Sequence, residues 1–472
     1  MEPLEDTPQH ECGIIGIFAP NEDVASMAFF GLFSQQHRGQ EAAGIAVADG
    51  RSIRLHKDVG LVSQVFNTTN LAPLKGHYAI GHTRYSTTGS STARNAQPFL
   101  IETRNGPIAV AHNGNLVNAT RLREDLLARG VGLTSSSDSE LITMMLAGAE
   151  GETWNERIKN TMAQWEGAYC LVILTLDHVY AIRDPWGFHP LSIGMLPSGG
   201  HAAASETCAL QTLGCTAIRE VKPGEIVVLS NNALVVQQAF EPKENLALCT
   251  FEHIYFSRPD SDWDGQNVHQ VRQRLGRMLA YEAPAQADIV IPVPDSSIPA
   301  AIGYAATSGI PYNDGFIKNR YIGRTFIEPT QSLRAKGVAL KFNVIAENVR
   351  GKSVVVIDDS IVRGTTTGPL VRLLKDAGAA EVHMRITCPQ IAHPCFMGVD
   401  MGTYEELISH RLTLEEMRDQ LGCTSLAFIS LEGMMEAIGS KTGYCNACFT
   451  GKYPLPVSAH QTKTGFERMI VS

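Results

Sequence analysis

Apolar residues along this chain come in short unbroken blocks more often than in alternation, and Gly, Pro and Asp punctuate them. Val354–Ile357 places four β-branched residues in succession, the pattern of a parallel strand buried on both faces. The run breaks into Asp358 and Asp359, then Arg363, Gly364, Thr365, Thr366 and Thr367, just ahead of the helical pattern Leu370–Lys375. Ile289–Val293 predicts a second such strand, preceded by a helix over Val271–Ala280 and followed by Pro294, Asp295, Ser296 and Ser297. Nearer the N-terminus, Cys12–Phe18, Gly44–Ala48, Gly167–Leu174 and Val221–Leu229 predict strands. The polar stretch Gln237–Asn245 interrupts the pattern. A domain is therefore expected over residues 12–245 and another over 246–472, after a polar, aperiodic leader at residues 1–11.

Length and composition agree with that division. At 472 residues and 44% apolar, the chain is long enough for two or three packed cores. The net charge of −9 gives no footprint for nucleic acid or an anionic membrane. No apolar run reaches membrane-spanning length, and Met1–Asp6 is acidic where a signal peptide would be basic. A cytoplasmic protein is expected, and there ten cysteines point to metal binding or catalysis before disulfides.

The acid pair and Gly-Thr turn have a chemical reading. Ligands of open α/β sheets bind beyond the carboxyl ends of the strands. Backbone N–H groups and threonine hydroxyls there can cradle a phosphate at a helix N-terminus, while carboxylates suit ribose hydroxyls or a metal. Capping of the following helix by the aspartates is the bland alternative. This stretch resembles the phosphoribosyl-pyrophosphate (PRPP) loop of type I phosphoribosyltransferases. The resemblance implies PRPP contacts from Asp358, Asp359, Arg363, Gly364, Thr365, Thr366 and Thr367. It also implies Mg²⁺ held by Asp358, Asp359 and Ser296, although Pro294–Ser297 read alone could be an ordinary helix cap.

The N-terminal half carries Cys12–Phe18, Gln36–Ile45, Gly81–Gly89 and Val110–Leu116. In that order these segments resemble the class II glutamine amidotransferases. That family implies an N-terminal-nucleophile fold, two sheets between helices (αββα), ahead of the parallel-sheet domain. Amide hydrolysis needs a nucleophile, a base and oxyanion donors. If residues 1–11 are removed, Cys12 carries a thiol and a free α-amine, whose reference pKa of about 7.7–8.0 suits a base near neutrality. The family assigns the oxyanion hole to Asn113 and the Gly114 N–H, although Asn-Gly is also a strong hairpin-turn signal. Arg84 can clamp the α-carboxylate of glutamine bidentately. Thr87 and Asp138 complete the implied glutamine contacts, while Ser137–Glu140 reads equally as a capping box. His37, His82 and His112 are expected to be structural.

Lys318–Lys341 carries six basic residues and one acid without clear periodicity, the pattern of a basic lid over a pyrophosphate or of a solvated charge run. Cys445 and Cys448 form a C-x-x-C, which alone could mean zinc, redox chemistry or nothing. With Cys249 and Cys395 they match the 4Fe-4S ligands of one branch of the amidophosphoribosyltransferases, the branch with a short propeptide. Four thiolates suit a cubane cluster or tetrahedral zinc. Cys170, Cys208, Cys215, Cys388 and Cys423 are expected to pack.

Taken over its length, the chain resembles the amidophosphoribosyltransferases. That implies formation of 5-phosphoribosylamine, glutamate and pyrophosphate from glutamine, PRPP and water, the opening step of purine synthesis. A homotetramer inhibited by purine nucleotides is implied as well. A glucosamine-phosphate synthase would lack the loop at residues 354–367, and a purine-repressor-like PRPP binder would have no use for a nucleophile domain.

Overall fold

A computed structural model describes residues 12–85, 92–231, 234–319, 341–440 and 442–457. The leader, Thr87 and all but the ends of the basic segment Lys318–Lys341 lie outside the described residues.

The first half is two stacked antiparallel sheets. One has seven strands in the order Thr216–Glu220, Ser192–Met195, His201–Ala204, Gly13–Phe18, Tyr78–Arg84, Ala42–Ala48 and Ile53–Val59. The other has six, in the order Val235–Gln238, Glu225–Leu229, Val179–Arg183, Gly167–Leu174, Ile108–Leu116 and Phe99–Ile101. Every residue of Gly13–Phe18 is buried, which explains why the strand reads as continuously apolar. Its alternate side chains serve two interfaces. Ile14 and Phe18 face the second sheet, packing in one core with Ala111, Val172 and Val227. Ile15 and Ile17 face the helix Val24–Ser34. On the far side, helices Ala119–Ala128, Asp138–Ala147 and Trp154–Met162 cover the second sheet. The result is the helix, sheet, sheet, helix layering expected of an N-terminal-nucleophile fold.

The second half contains a four-stranded parallel sheet in the order Ile289–Pro292, Ser353–Asp358, Glu381–Ile386 and Ser425–Phe428. Helices Val268–Glu282 and Ile298–Ser308 pack so closely that a methyl on Gly276 would collide with the Ala300 carbonyl, and one on Gly303 with that of Gln273. Both backbones therefore meet without an intervening side-chain layer.

Between the halves lies a fully desolvated ionic joint. Arg38, itself buried, donates from Nη1 to Glu206 at 2.8 Å and from Nη2 to Glu252 at 2.7 Å. A further bond from Nη1 to Glu252 at 3.0 Å makes that pairing bidentate, and Nε donates to the Cys12 carbonyl at 3.2 Å. Burial alone would raise the Glu206 pKa, but His37 and Arg38 outweigh it and hold the carboxyl well below its usual range. Glu252 opens a single π-helical turn, Glu252–Phe256, and accepts from Ser257 Oγ at 2.6 Å. Nearby, Leu248–Cys249 pairs in parallel with Tyr444–Cys445, returning the end of the described chain to this joint.

Candidate functional site

Cys12 heads the central strand of the first sheet, where its thiol donates to the Tyr85 carbonyl at 3.3 Å and accepts from the Tyr85 N–H at 3.5 Å. Burial pushes the thiol up to about 12, with the Tyr85 contact and Arg84 pulling back and Glu41 and Asp138 pushing further. The thiol is therefore neutral near pH 7 and needs a base to react. Among the described residues no histidine hydrogen-bonds it. Pairing of Gly13 with Thr83, and of Arg84 with Ala42, seats Arg84 at the adjoining strand end, 3.6 Å from Glu41.

Asn113 and Gly114 do not form a turn. They lie inside the strand Ile108–Leu116, opposite Cys170 and Tyr169, so the hairpin reading of this Asn-Gly pair is corrected. The tertiary ladder overrides the local preference. Asn113 is buried, and its Nδ2 has no hydrogen-bond partner among the described residues. Such a donor is costly to leave unmade, which makes it available to a ligand oxygen. Gly114 has φ +142°, and a Cβ there would strike the Ala168 carbonyl. Asp138 accepts from the Leu116 N–H at 3.1 Å, two residues beyond this pair.

The expected capping box is half formed. Ser137 accepts from the Ser139 N–H at 3.2 Å, but Glu140 binds the Thr134 and Ser135 amides at 2.8 and 2.7 Å instead of returning to Ser137. His82 and His112 are buried; burial lowers both, His82 to about 3, so both are neutral. His82 Nε2 lies 3.1 Å from the His112 carbonyl and joins the two sheets. His37 pairs with Glu206 at 2.6 Å.

In the second half, Asp358 ends its strand and Asp359 follows, both buried. Ser296 donates to Asp359 Oδ2 at 2.5 Å, Ser360 to Oδ1 at 2.6 Å, and Ser297 to Asp358 at 3.5 Å. The loop after one strand is thus tied to the acids after the next. Ser297 flanks the helix Ile298–Ser308 but makes no side-chain cap bond, so the plain N-cap reading fails there. Gly364 adopts φ +76° in the turn before the helix Thr367–Asp376, and Arg363 reaches Glu406 at 3.3 Å. Burial raises the Asp359 pKa, while Ser296, Ser360 and Arg272 draw it back. Arg272 was not anticipated. It sits on the buried face of its helix with Val268, Val271 and Leu275, and donates to the His253 and Ser257 carbonyls at 2.8 Å each. An arginine at an apolar position of a helical stripe was the signal available.

Cys249, Cys395, Cys445 and Cys448 line one largely apolar cavity with Phe251 and Met397. Burial first, then the neighbouring thiols of Cys445 and Cys395, pushes Cys448 well above its ordinary value. No three His, Cys, Asp or Glu side chains among the described residues are gathered closely enough to hold a single metal ion. Cys170, Cys208, Cys215, Cys388 and Cys423 are all buried and unbridged.

Comparison with known proteins accounts for both halves. A glutamine amidotransferase domain model matches residues 82–212, and a phosphoribosyl transferase domain model matches residues 266–395. The amidophosphoribosyltransferase of Synechococcus elongatus is 50% identical over 461 residues, covering 96% of this chain and 93% of the relative. That of Bacillus subtilis is 47% identical, covering 95% and 94%, and that of Rattus norvegicus 44%, covering 96% and 99%. A solved structure described as glutamine PRPP amidotransferase from B. subtilis, complexed with ADP and GMP, superposes with a TM-score of 0.90. It is 46% identical and covers 96% of this chain and 99% of its own. No helix among the described residues is long and apolar enough to cross a membrane.

The acid pair generates a stability prediction. The folded pKa of Asp359 lies above its unfolded one, so folding favours its protonated form. That contribution is complete below the unfolded pKa of about 3.9 and is lost as pH rises through the folded value. Ligand-free Asp359→Asn should therefore unfold at a higher temperature than the wild type at pH 7.5, with the gap narrowing towards pH 4. Calorimetric melts across that range check it, and a variant melting lower throughout would contradict it.

Proposed function

The chain belongs to the amidophosphoribosyltransferases, the glutamine-dependent pentosyltransferases that open purine synthesis, and on that premise we propose how its residues divide the work. The observation that carries the assignment in the first half is the buried, unpartnered Asn113 Nδ2, on a strand that His82 joins to the Arg84 strand. Cys12 attacks the glutamine side-chain amide, and its own α-amine takes the thiol proton once residues 1–11 are gone. Asn113 Nδ2 and the Gly114 N–H receive the oxyanion. The protonated amine gives its proton to the departing ammonia, and water then cleaves the glutamyl thioester. Arg84 holds the substrate carboxylate, and Asp138 with Thr87 the α-ammonium.

Ammonia then passes internally to C1 of PRPP, displacing pyrophosphate. Asp358 and Asp359 hold the ribose hydroxyls, and Arg363, Gly364, Thr365, Thr366 and Thr367 the 5-phosphate. Ser296, Asp358 and Asp359 offer the hard oxygen donors that Mg²⁺ takes, and the ion would neutralise charge on the leaving pyrophosphate. Cys249, Cys395, Cys445 and Cys448 offer four thiolates to one cavity, the donor set that would hold a 4Fe-4S cluster, with tetrahedral zinc the alternative. Inhibition by purine nucleotides, a homotetramer and a cytoplasmic location complete the proposal. The related B. subtilis enzyme, solved in complex with ADP and GMP, supports nucleotide control.

Three outcomes are expected. Active protein should begin at Cys12 on N-terminal sequencing, and its glutaminase kcat/KM should rise through an α-amine pKa of about 8 and then level off, instead of climbing towards the thiol value. Fully active protein still starting at Met1 would sink this mechanism.

Cys445→Ser should lower iron content and the visible absorbance of anaerobically purified protein, together with its solubility. A zinc-loaded, colourless and fully active wild type would refute iron.

Cys12→Ala should lose glutamine-dependent synthesis, a drop of about 10³-fold or more, yet keep synthesis from high external ammonia. Asp358→Ala should lose both. Following glutamate and pyrophosphate separately distinguishes them, and retention of glutamine-dependent synthesis by Cys12→Ala would overturn the nucleophile.

A further inference from the structure

We infer that the segment Phe396–Gly398, which belongs to the second half, positions the oxyanion donor Gly114 of the first; this rests on the oxyanion reading above. A backbone donor contributes only if its N–H is held close to where the negative charge develops. Gly114 is wedged from two sides. On one, the Ala168 carbonyl leaves no room for a side chain. On the other stands Gly398, where a Cβ would lie 3.2 Å from both Cα and the carbonyl carbon of Gly114 and 3.1 Å from His189 Nε2. Gly398 has φ +114°, a backbone conformation in which a side chain is strained.

Two hydrogen bonds fix the segment in place. Asn115, next to Gly114, donates from Nδ2 to the Phe396 carbonyl at 2.9 Å. His189 Nε2 lies 2.8 Å from the Met397 carbonyl. A carbonyl can only accept, so the buried ring carries its proton on Nε2. Met397 packs with Val117, Ala168 and Phe188 in a small apolar core; Val117 follows the end of the Gly114 strand, and Ala168 pairs with Asn115, the residue after Gly114. Cys395, the residue just before this segment, lines the cysteine cavity, and the Met397 N–H donates to its Sγ at 3.3 Å. The oxyanion hole is thus completed only when the two halves are docked, and Phe396, Met397 and Gly398 are positioning residues for a reaction whose catalytic residues all lie elsewhere.

The test uses mature, full-length enzyme carrying Gly398→Ala or Asn115→Ala, with Asn113→Ala as the reference. Glutaminase kcat and glutamine KM are measured with ammonia-dependent synthesis. Calorimetry compares binding of a glutamine-derived aldehyde, which adds the Cys12 thiol to form an oxyanion mimic, with binding of glutamate, which needs no such donor. Gly398→Ala should lower kcat about tenfold or more, leave KM and ammonia-dependent synthesis within about twofold, and weaken the aldehyde but not glutamate. Asn115→Ala should show the same split at about threefold, and it decides the matter if Gly398→Ala fails to fold. Unchanged kcat in both variants, or equal weakening of aldehyde and glutamate, overturns the positioning role while a collapsed Asn113→Ala keeps the oxyanion reading intact. If Asn113→Ala itself retains full kcat, the oxyanion reading falls and takes this inference with it.

Discussion

A single buried guanidinium holds the architecture together. Arg38 is the meeting point of the Cys12 carbonyl, Glu206 from the first half and Glu252 at the entrance to the second. An ion cluster out of water is tolerated only with near-complete hydrogen bonding, and uncompensating one partner of a buried pair costs about 3–5 kcal/mol. Here the fork is filled on both sides, and separating the halves would break the bidentate Arg38–Glu252 pairing. The influence extends further. Ser257, bonded to Glu252, also receives Arg272, and Arg272 in turn acts on Asp359. This buried relay runs from the Cys12 carbonyl to Asp359, its last step acting through space.

The two candidate sites share a physical signature. At both, burial dominates and pushes an acidic group upward, the Cys12 thiol in one and the Asp359 carboxyl in the other. In neither do the neighbouring donors and cations offset the burial that disfavours the charged form. Such sites are costly to maintain and are retained for reactivity.

The fold was legible because its strands are buried on both faces. Val354–Ile357 and Cys12–Phe18 announce themselves as blocks, and the sheets follow. The acid pair after Ile357 and Arg84 at a strand end were also readable, since a strand's end is where its chemistry is exposed. What escaped depends on distant partners. Asn113 and Gly114 look like a turn until Cys170 and Tyr169 are set opposite them. Glu140 looks like the closing member of a capping box until Thr134 and Ser135 compete for it. Arg38 lies within a segment noticed only through family resemblance, and its burial makes sense only once Glu206 and Glu252 are brought to it. Arg272 hid inside an amphipathic helix. Local pattern names elements well, but which polar groups are buried, and against what, is a property of the whole assembly.

The glycines at 276 and 303 have an effect on the second half out of proportion to their size. With backbone against backbone at those two positions, the helix pair has no side chain there to repack and forms a single strut. The loop holding Ser296 emerges from the end of that strut, and Arg272 projects from its flank. Held by the strut at one end and by the Ser296–Asp359 bond along its length, that loop has little freedom to rearrange. Sequence drift at either glycine would thus be felt first as softness in a site that neither residue touches.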